Sequence, residues 1–172
     1  MNWDALGAVG ELVGGLLVLV SLVYLAAQIR QTNRLAEADA ERETLDSYST
    51  MLARIVSDPE VIVIGQRAFT DWPSLLNKEK AQFHHLTAPI VNHLDTVLRL
   101  HEKGLISREL RDLFGNLFLS MVTSPGGNQW WAEVNGAFPA SCREYVARRL
   151  RETPDWPALT DVMPFWKPDP KT

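Results

Sequence analysis

The sequence predicts an all-α chain in which one N-terminal transmembrane helix continues into a cytoplasmic helical domain, assembled as a symmetric homo-oligomer. Three observations predict it. Between Ala5 and Ala27 the only charged residue is Glu11, and from Leu12 to Ala27 the side chains are apolar apart from Ser21 and the amphipathic Tyr24. Beyond that stretch no alternation of apolar and polar residues is sustained, whereas helical three-to-four spacing recurs, as in Leu45, Tyr48, Leu52 and Ile55. Glu11, Ser21 and two of the four glycines of the apolar stretch fall on one heptad stripe.

The average composition hides this division. The 172 residues are 46% hydrophobic and 22% charged, the figures of an ordinary one-domain soluble chain. A net charge of −4, from 17 Lys+Arg against 21 Asp+Glu, argues against a nucleic-acid partner, which selects a basic face. The lone Cys142 permits neither an internal disulfide nor a Cys-rich zinc site, which points to a reducing compartment for the bulk of the chain.

The apolar stretch is read as a membrane span. About 23 helical residues cover about 34 Å, enough for a hydrocarbon core of about 30 Å with some tilt. Leu25-Ala26-Ala27 imitates a signal-peptide cleavage site, but the residues before the stretch carry Asp4 and no Lys or Arg. A core helix of a soluble protein is disfavoured because apolar character runs around nearly the whole circumference. Arg30, Arg34 and Arg42 follow the span and no basic residue precedes it, so the expected orientation is N-terminus outside and C-terminal domain cytoplasmic. Trp3 and Tyr24 suit the two interfaces.

Written as heptads, the span puts Asp4, Glu11, Val18 and Leu25 at one seam position and Gly7, Gly14, Ser21 and Gln28 at the other. Such a stripe faces a partner in left-handed helix packing, and small residues on it let backbones approach. Gly10 and Gly14 also form a GxxxG match. An ionisable group in hydrocarbon costs about 2.5–3.5 kcal/mol or more, and a single span offers Glu11 no internal partner. Self-association is the economical answer. Three or more copies would form a Glu11 ring, with Asp4 as a second ring near the mouth, and acidic rings line cation pathways. The bland alternative is a protonated Glu11 bonded between helices of a closed bundle, or an acid shallow enough to reach the headgroups.

The remaining elements follow in order, with boundaries expected at residues 1–28 for the span, 29–56 for a helical stalk, 57–152 for the cytoplasmic domain and 153–172 for an extended tail. Gln28 to Val56 lacks Pro and Gly, so the span continues as one long helix. Val61 to Ile64 is β-branched, but Asp58-Pro59-Glu60 before it opens a short helix. Asn77 caps a helix running to about Lys103 and stopped by Gly104, with Pro89 expected to kink or divide it near Ala88. Ser107 caps the next, whose apolar face is Leu110, Leu113, Phe114, Leu117 and Phe118. Ser124-Pro125-Gly126-Gly127 reads as a cap with Pro at the first helical position, leading to Trp130 and Trp131. Phe138-Pro139 opens a last helix made basic by Arg143, Arg148, Arg149 and Arg151, which either meet anionic headgroups or, more simply, are solvated or paired with stalk acids such as Glu37, Glu41 and Asp46. Five prolines after Glu152 predict an extended tail, docked through Trp156, Phe165 and Trp166 on its own domain or on a neighbouring subunit.

The opening Asn2-Trp3-Asp4-Ala5-Leu6-Gly7-Ala8-Val9-Gly10-Glu11-Leu12-Val13-Gly14, the exit Tyr24-Leu25-Ala26-Ala27-Gln28-Ile29-Arg30-Gln31 and the later Ser124-Pro125-Gly126-Gly127 with Trp130-Trp131 resemble a widespread group of uncharacterised bacterial proteins with one amino-terminal span and an α-helical cytoplasmic domain. The resemblance covers most of residues 2–151 and implies a bacterial inner-membrane location. It supplies no catalytic residues and no activity.

Chemistry is sparse. His84, His85, His93 and His101 share one helical stretch, but the eight-residue steps from His85 to His93 to His101 drift about 80° each, and no HExxH or tight i,i+4 pair is present. His85, His93 and His101 remain the metal candidates, and the histidines are more simply structural or solvated. Cys142 has no base partner, Gly126-Gly127 lacks the following Lys and Ser/Thr of a phosphate loop, and Trp130 and Trp131 read as core aromatics. No catalytic residue and no cofactor are expected, and the chain is read as a non-enzyme. The expected partners are the chain itself, the bilayer and cations. The leading expectation is a channel-like conduit, with a membrane-anchored interaction scaffold as its rival and a membrane-tethered metalloenzyme as a weaker one.

Overall fold

The computed structural model of the chain describes the backbone of residues 3–168 and the side chains of residues 7–55 and 57–168. Among these, every regular element is helical: α1 (Trp3–Val56), α2 (Pro59–Thr70), α3 (Asn77–Glu102), α4 (Arg108–Thr123), α5 (Pro125–Val134), α6 (Ala140–Glu152) and α7 (Leu159–Val162), with 3₁₀ turns at Trp72–Ser74, Asn135–Ala137 and Pro164–Trp166. The chain divides into two units, Met1–Asp39 and Ala40–Thr172. That division falls inside the stretch expected to be a stalk.

In the first unit the apolar helix is exposed all round, and it is the one helix among the described residues long and apolar enough to cross a membrane. The second unit carries the core. Its α2, α3, α4 and α5 pack on one another, α6 lies on α3, and α7 on α4. Phe83, Trp130, Phe118, Leu94, Leu119, Val91 and Val97 are its largest fully buried apolar side chains. At about 1.5–3 kcal/mol for each fully buried large apolar side chain, they dominate the stability of the unit.

Local signals explain most boundaries. Asp58 caps α2 by accepting the Glu60 N–H at 3.0 Å, with Pro59 at the first helical position, so Val61 to Ile64 is helical despite its β-branching. Ser107 Oγ accepts the Leu110 N–H at 3.3 Å and opens α4. Gly104 follows α3 at φ 70, the left-handed conformation in which a side chain is strained.

Other expectations are corrected. Asn77 is the first helical residue, not the cap. Leu76 stands before it, and its N–H is satisfied at 2.8 Å by Glu79, which also takes Arg67 at 2.6 Å. Pro89 does not divide α3. Losing a hydrogen bond and crowding the preceding turn costs about 3 kcal/mol, and packing on both sides of the proline, by Phe83 and Thr87 before it and Val91 and Leu94 after it, outweighs that. On α4 Leu113 points away, 59% exposed, while Leu119, Met121 and Val122 are buried. The tail is not extended throughout. It forms α7 and the Pro164–Trp166 turn, with Leu159 buried, and it lies on its own domain. Trp156 Nε1 donates to Ser120 Oγ at 3.1 Å, Gln66 Nε2 to the Phe165 carbonyl at 2.9 Å, and the Trp166 ring sits edge-on to Phe69 at 5.6 Å.

Candidate functional site

The first candidate is the stripe on the apolar helix. Gly7, Glu11, Gly14, Val18, Ser21 and Gln28 are all exposed, and the side chain of Asp4 lies outside the described residues. A Cβ placed at Gly7, Gly10 or Gly14 would meet no atom of the chain within 4 Å. The stripe therefore has room for another backbone, and its own chain does not fill it. Ser21 is less polar than its residue type suggests, because its hydroxyl already donates to the Leu17 carbonyl at 2.8 Å. The backbone carbonyl of Gln28 accepts from Thr32 Oγ1 at 3.0 Å. Glu11 is the one ionisable group of the stripe whose side chain is described. A heptad stripe drifts about 20° per repeat on a straight helix, so it stays on one line only when helices wind around each other.

The second candidate is a groove of about 970 Å³ in the second unit, between residues 40–55 of α1 and residues 85–100 of α3. Glu43 and Arg54 line it from α1, His85, Asn92 and His93 from α3, with Met51, Leu86 and Pro89 as apolar lining. α1 rests on the core along Ala40, Thr44 and Tyr48, and the groove is lined on both sides of Tyr48, from Ala40 to Ile55. Tyr48 contacts Phe114 edge-on at 4.8 Å and His93 at 5.5 Å. Glu41 Oε1 accepts the Ser107 N–H at 2.9 Å, and hydrogen bonds from the Ser107 hydroxyl and N–H hold its carboxyl below the usual range.

The histidines do not converge. His85 and His93 line the groove, but His101 is engaged elsewhere: its Nδ1 lies 3.2 Å from the Ile106 carbonyl and its Nε2 3.0 Å from Arg111 Nη1. Because guanidinium only donates, Nε2 accepts and Nδ1 carries the proton. No group of three or more metal-ligating side chains occurs among the described residues. His93 stands against Phe114 at 4.8 Å, with Nε2 buried and without a hydrogen-bond partner, and burial lowers its pKa from 6.5.

The remaining chemistry-bearing residues are structural. Cys142 is fully buried, its thiol donates to the Val91 carbonyl at 3.5 Å, and burial, then the Asp95 charge, push its pKa up to about 12. Trp130 is in the core and Trp131 at its edge, stacked on Phe138. Ser124 precedes α5, yet its hydroxyl does not cap it. Ser124 Oγ donates to the Ser120 carbonyl at 2.9 Å and accepts the Leu159 N–H at 3.1 Å, which ties the tail to α4. The arginines of α6 do not take the acids expected of them. Arg149 binds Asn116 Oδ1 at 3.1 Å and Tyr145 OH at 3.0 Å, and Arg143 the Phe138 carbonyl at 3.1 Å, while Asp46 lies 3.8 Å from Arg42. The backbone role of Gly126 and Gly127 was hidden in sequence: a Cβ there would stand 1.9 Å from the carbonyl oxygens of Ala68 and Met121 respectively. Paired glycines beside a helix start were the available signal.

No family model, no curated protein and no solved structure matches the chain. The likeness to bacterial single-span proteins rests on the quoted residues alone.

Proposed function

We propose that the chain is a single-span inner-membrane protein, N-terminus outside, that assembles with copies of itself through the Gly7/Glu11/Gly14/Val18 stripe and holds its helical domain in the cytoplasm. The observation that carries this reading is one acid on an exposed apolar helix, flanked by glycines with open space beside them. In hydrocarbon that carboxyl has to meet protein or water. Three or more copies turn Glu11 inward as a ring that attracts cations, and the function is then a cation conduit. Two copies cannot enclose water. The protein is then an anchored scaffold, and the open groove in the second unit favours that second reading.

Subunit counting by native mass spectrometry from detergent separates these outcomes. A strict monomer removes the assembly, and a dimer removes the conduit while leaving the scaffold. For three or more subunits, liposome flux with Glu11→Gln is the deciding measurement. Cation selectivity should fall about tenfold or more, by the loss of a ring of charge, whereas unchanged selectivity takes Glu11 out of the path.

A further inference from the structure

The contact between α1 and the body of the second unit is narrow, and its centre is a histidine. Tyr48 reaches into the corner between α3 and α4, where its ring meets Phe114 at 4.8 Å and His93 at 5.5 Å, and the His93 ring in turn meets Phe114 at 4.8 Å. His93 Nε2 is buried there with no hydrogen-bond partner among the described residues. A neutral imidazole tolerates this, because a nitrogen can face an aromatic wall as an unused acceptor. An imidazolium does not, because it has a donor on each nitrogen and a charge to solvate. The elements against the ring offer it little. α4 presents Phe114, and α1 presents the Tyr48 ring. Farther along the groove stand Glu43 and Arg54 of α1, opposite in charge and both exposed, and His85 of α3. Asp95 on α3 is turned to Ser141 of α6 and to Arg99, which it meets at 2.8 Å.

We propose that protonation of His93 releases residues 40–56 of α1 from α3 and α4, so that this three-ring contact is a proton-sensitive latch. The sign follows from burial. The docked state prefers the neutral ring, and its pKa lies below the ordinary 6.5 of the released state. Docking is therefore at full strength above pH 6.5 and is lost as the pH falls toward the docked-state value. Within that window the ratio of released to docked protein rises by up to about tenfold per pH unit. Glu41, whose carboxyl is held below its ordinary 4.5 by Ser107, is mostly ionised at pH 5.0 and above and does not drive a release in that range.

The test places spin labels on Leu52→Cys of α1 and Leu113→Cys of α4, both exposed, in the full chain in detergent diluted with unlabelled chain. Native Cys142 is buried with its thiol protonated and does not label. The expected result is one short distance at pH 7.5 and a several-fold larger long-distance population at pH 5.0. His93→Phe and His93→Gln remove the titration, one keeping an aromatic ring and the other polarity. If either stays docked at pH 5.0 while the parent chain opens, the latch stands. A parent distance that does not change overturns it. So do two variants that open with acid as the parent does, or that are both open already at pH 7.5.

Discussion

Gly126 and Gly127 show how much a single hydrogen atom in place of a side chain can decide. Their backbones lie against the carbonyl oxygens that end α2 and α4, and a methyl group at either position would sit 1.9 Å from oxygen. Neither neighbour is the flexible end of a side chain, so relief requires moving a helix. Gly126→Ala should therefore lower the unfolding free energy by about 2–3 kcal/mol or more, as overpacking a closed contact does. Gly136 is the internal control, since a Cβ there meets nothing within 4 Å. Gly136→Ala should leave the denaturant midpoint unchanged or raise it by up to about 1 kcal/mol equivalent, through the unfolded chain. Chemical denaturation of both variants measures the contrast, and equal midpoints would show that the close approach is relaxed in solution.

At the scale of elements, the terminal segment is a helical patch on the body, fixed at both ends by tryptophans. Trp156 donates to Ser120 and lies beneath Arg149, whose guanidinium carbon stands 5.2 Å from the ring. Trp166 covers Gly65 of α2 and meets Phe69. Trp166→Ala should cost about 2 kcal/mol, less than for a fully buried tryptophan because the ring is half-buried, and should make the segment after Glu152 sensitive to limited proteolysis before the rest unfolds. A variant whose terminal segment is cut no faster than in the parent chain would show that Leu159 and Trp156 hold it alone.

The tail and α3 also show which features were legible in the sequence. Asp58, Ser107, Gly104 and Pro125 mark helix ends through chemistry within a few residues, so the sequence displays them. Pro89 misleads for the same reason: its local effect is visible, whereas what offsets it is the packing of α3, through Phe83, Val91 and Leu94, on helices distant in sequence. The tail's aromatics predicted docking, but not that Gly65 and Ser120 would receive them, because those partners are distant in sequence. On the candidate stripe, Glu11 and the glycines were legible by spacing alone. The groove was not. It depends on how residues 40–55 of α1 lie against α3, and no local signal encodes that spacing.

At the scale of the whole molecule, an unremarkable composition is the sum of two different parts, an exposed apolar helix and a domain with a buried core. Among the described residues the buried apolar side chains all lie beyond Ala40, and the large apolar ones before it are exposed. The second unit has its own aromatic core, its own caps and a tail folded back on it, so its stability requires nothing from the first. A chain of residues 40–172 should fold by itself, unfold in one cooperative transition and keep the near-ultraviolet circular dichroism of the packed Trp130 and Trp131, without detergent. The full chain should precipitate under the same conditions, because more than ten large aliphatic side chains between Val9 and Ile29 stay uncovered. Sedimentation and circular dichroism on the two chains side by side check both halves of the expectation. A fragment that remains molten would mean that the division at Asp39 and Ala40 is not a boundary of stability. A full chain that stays monomeric and soluble without detergent would remove the membrane span itself.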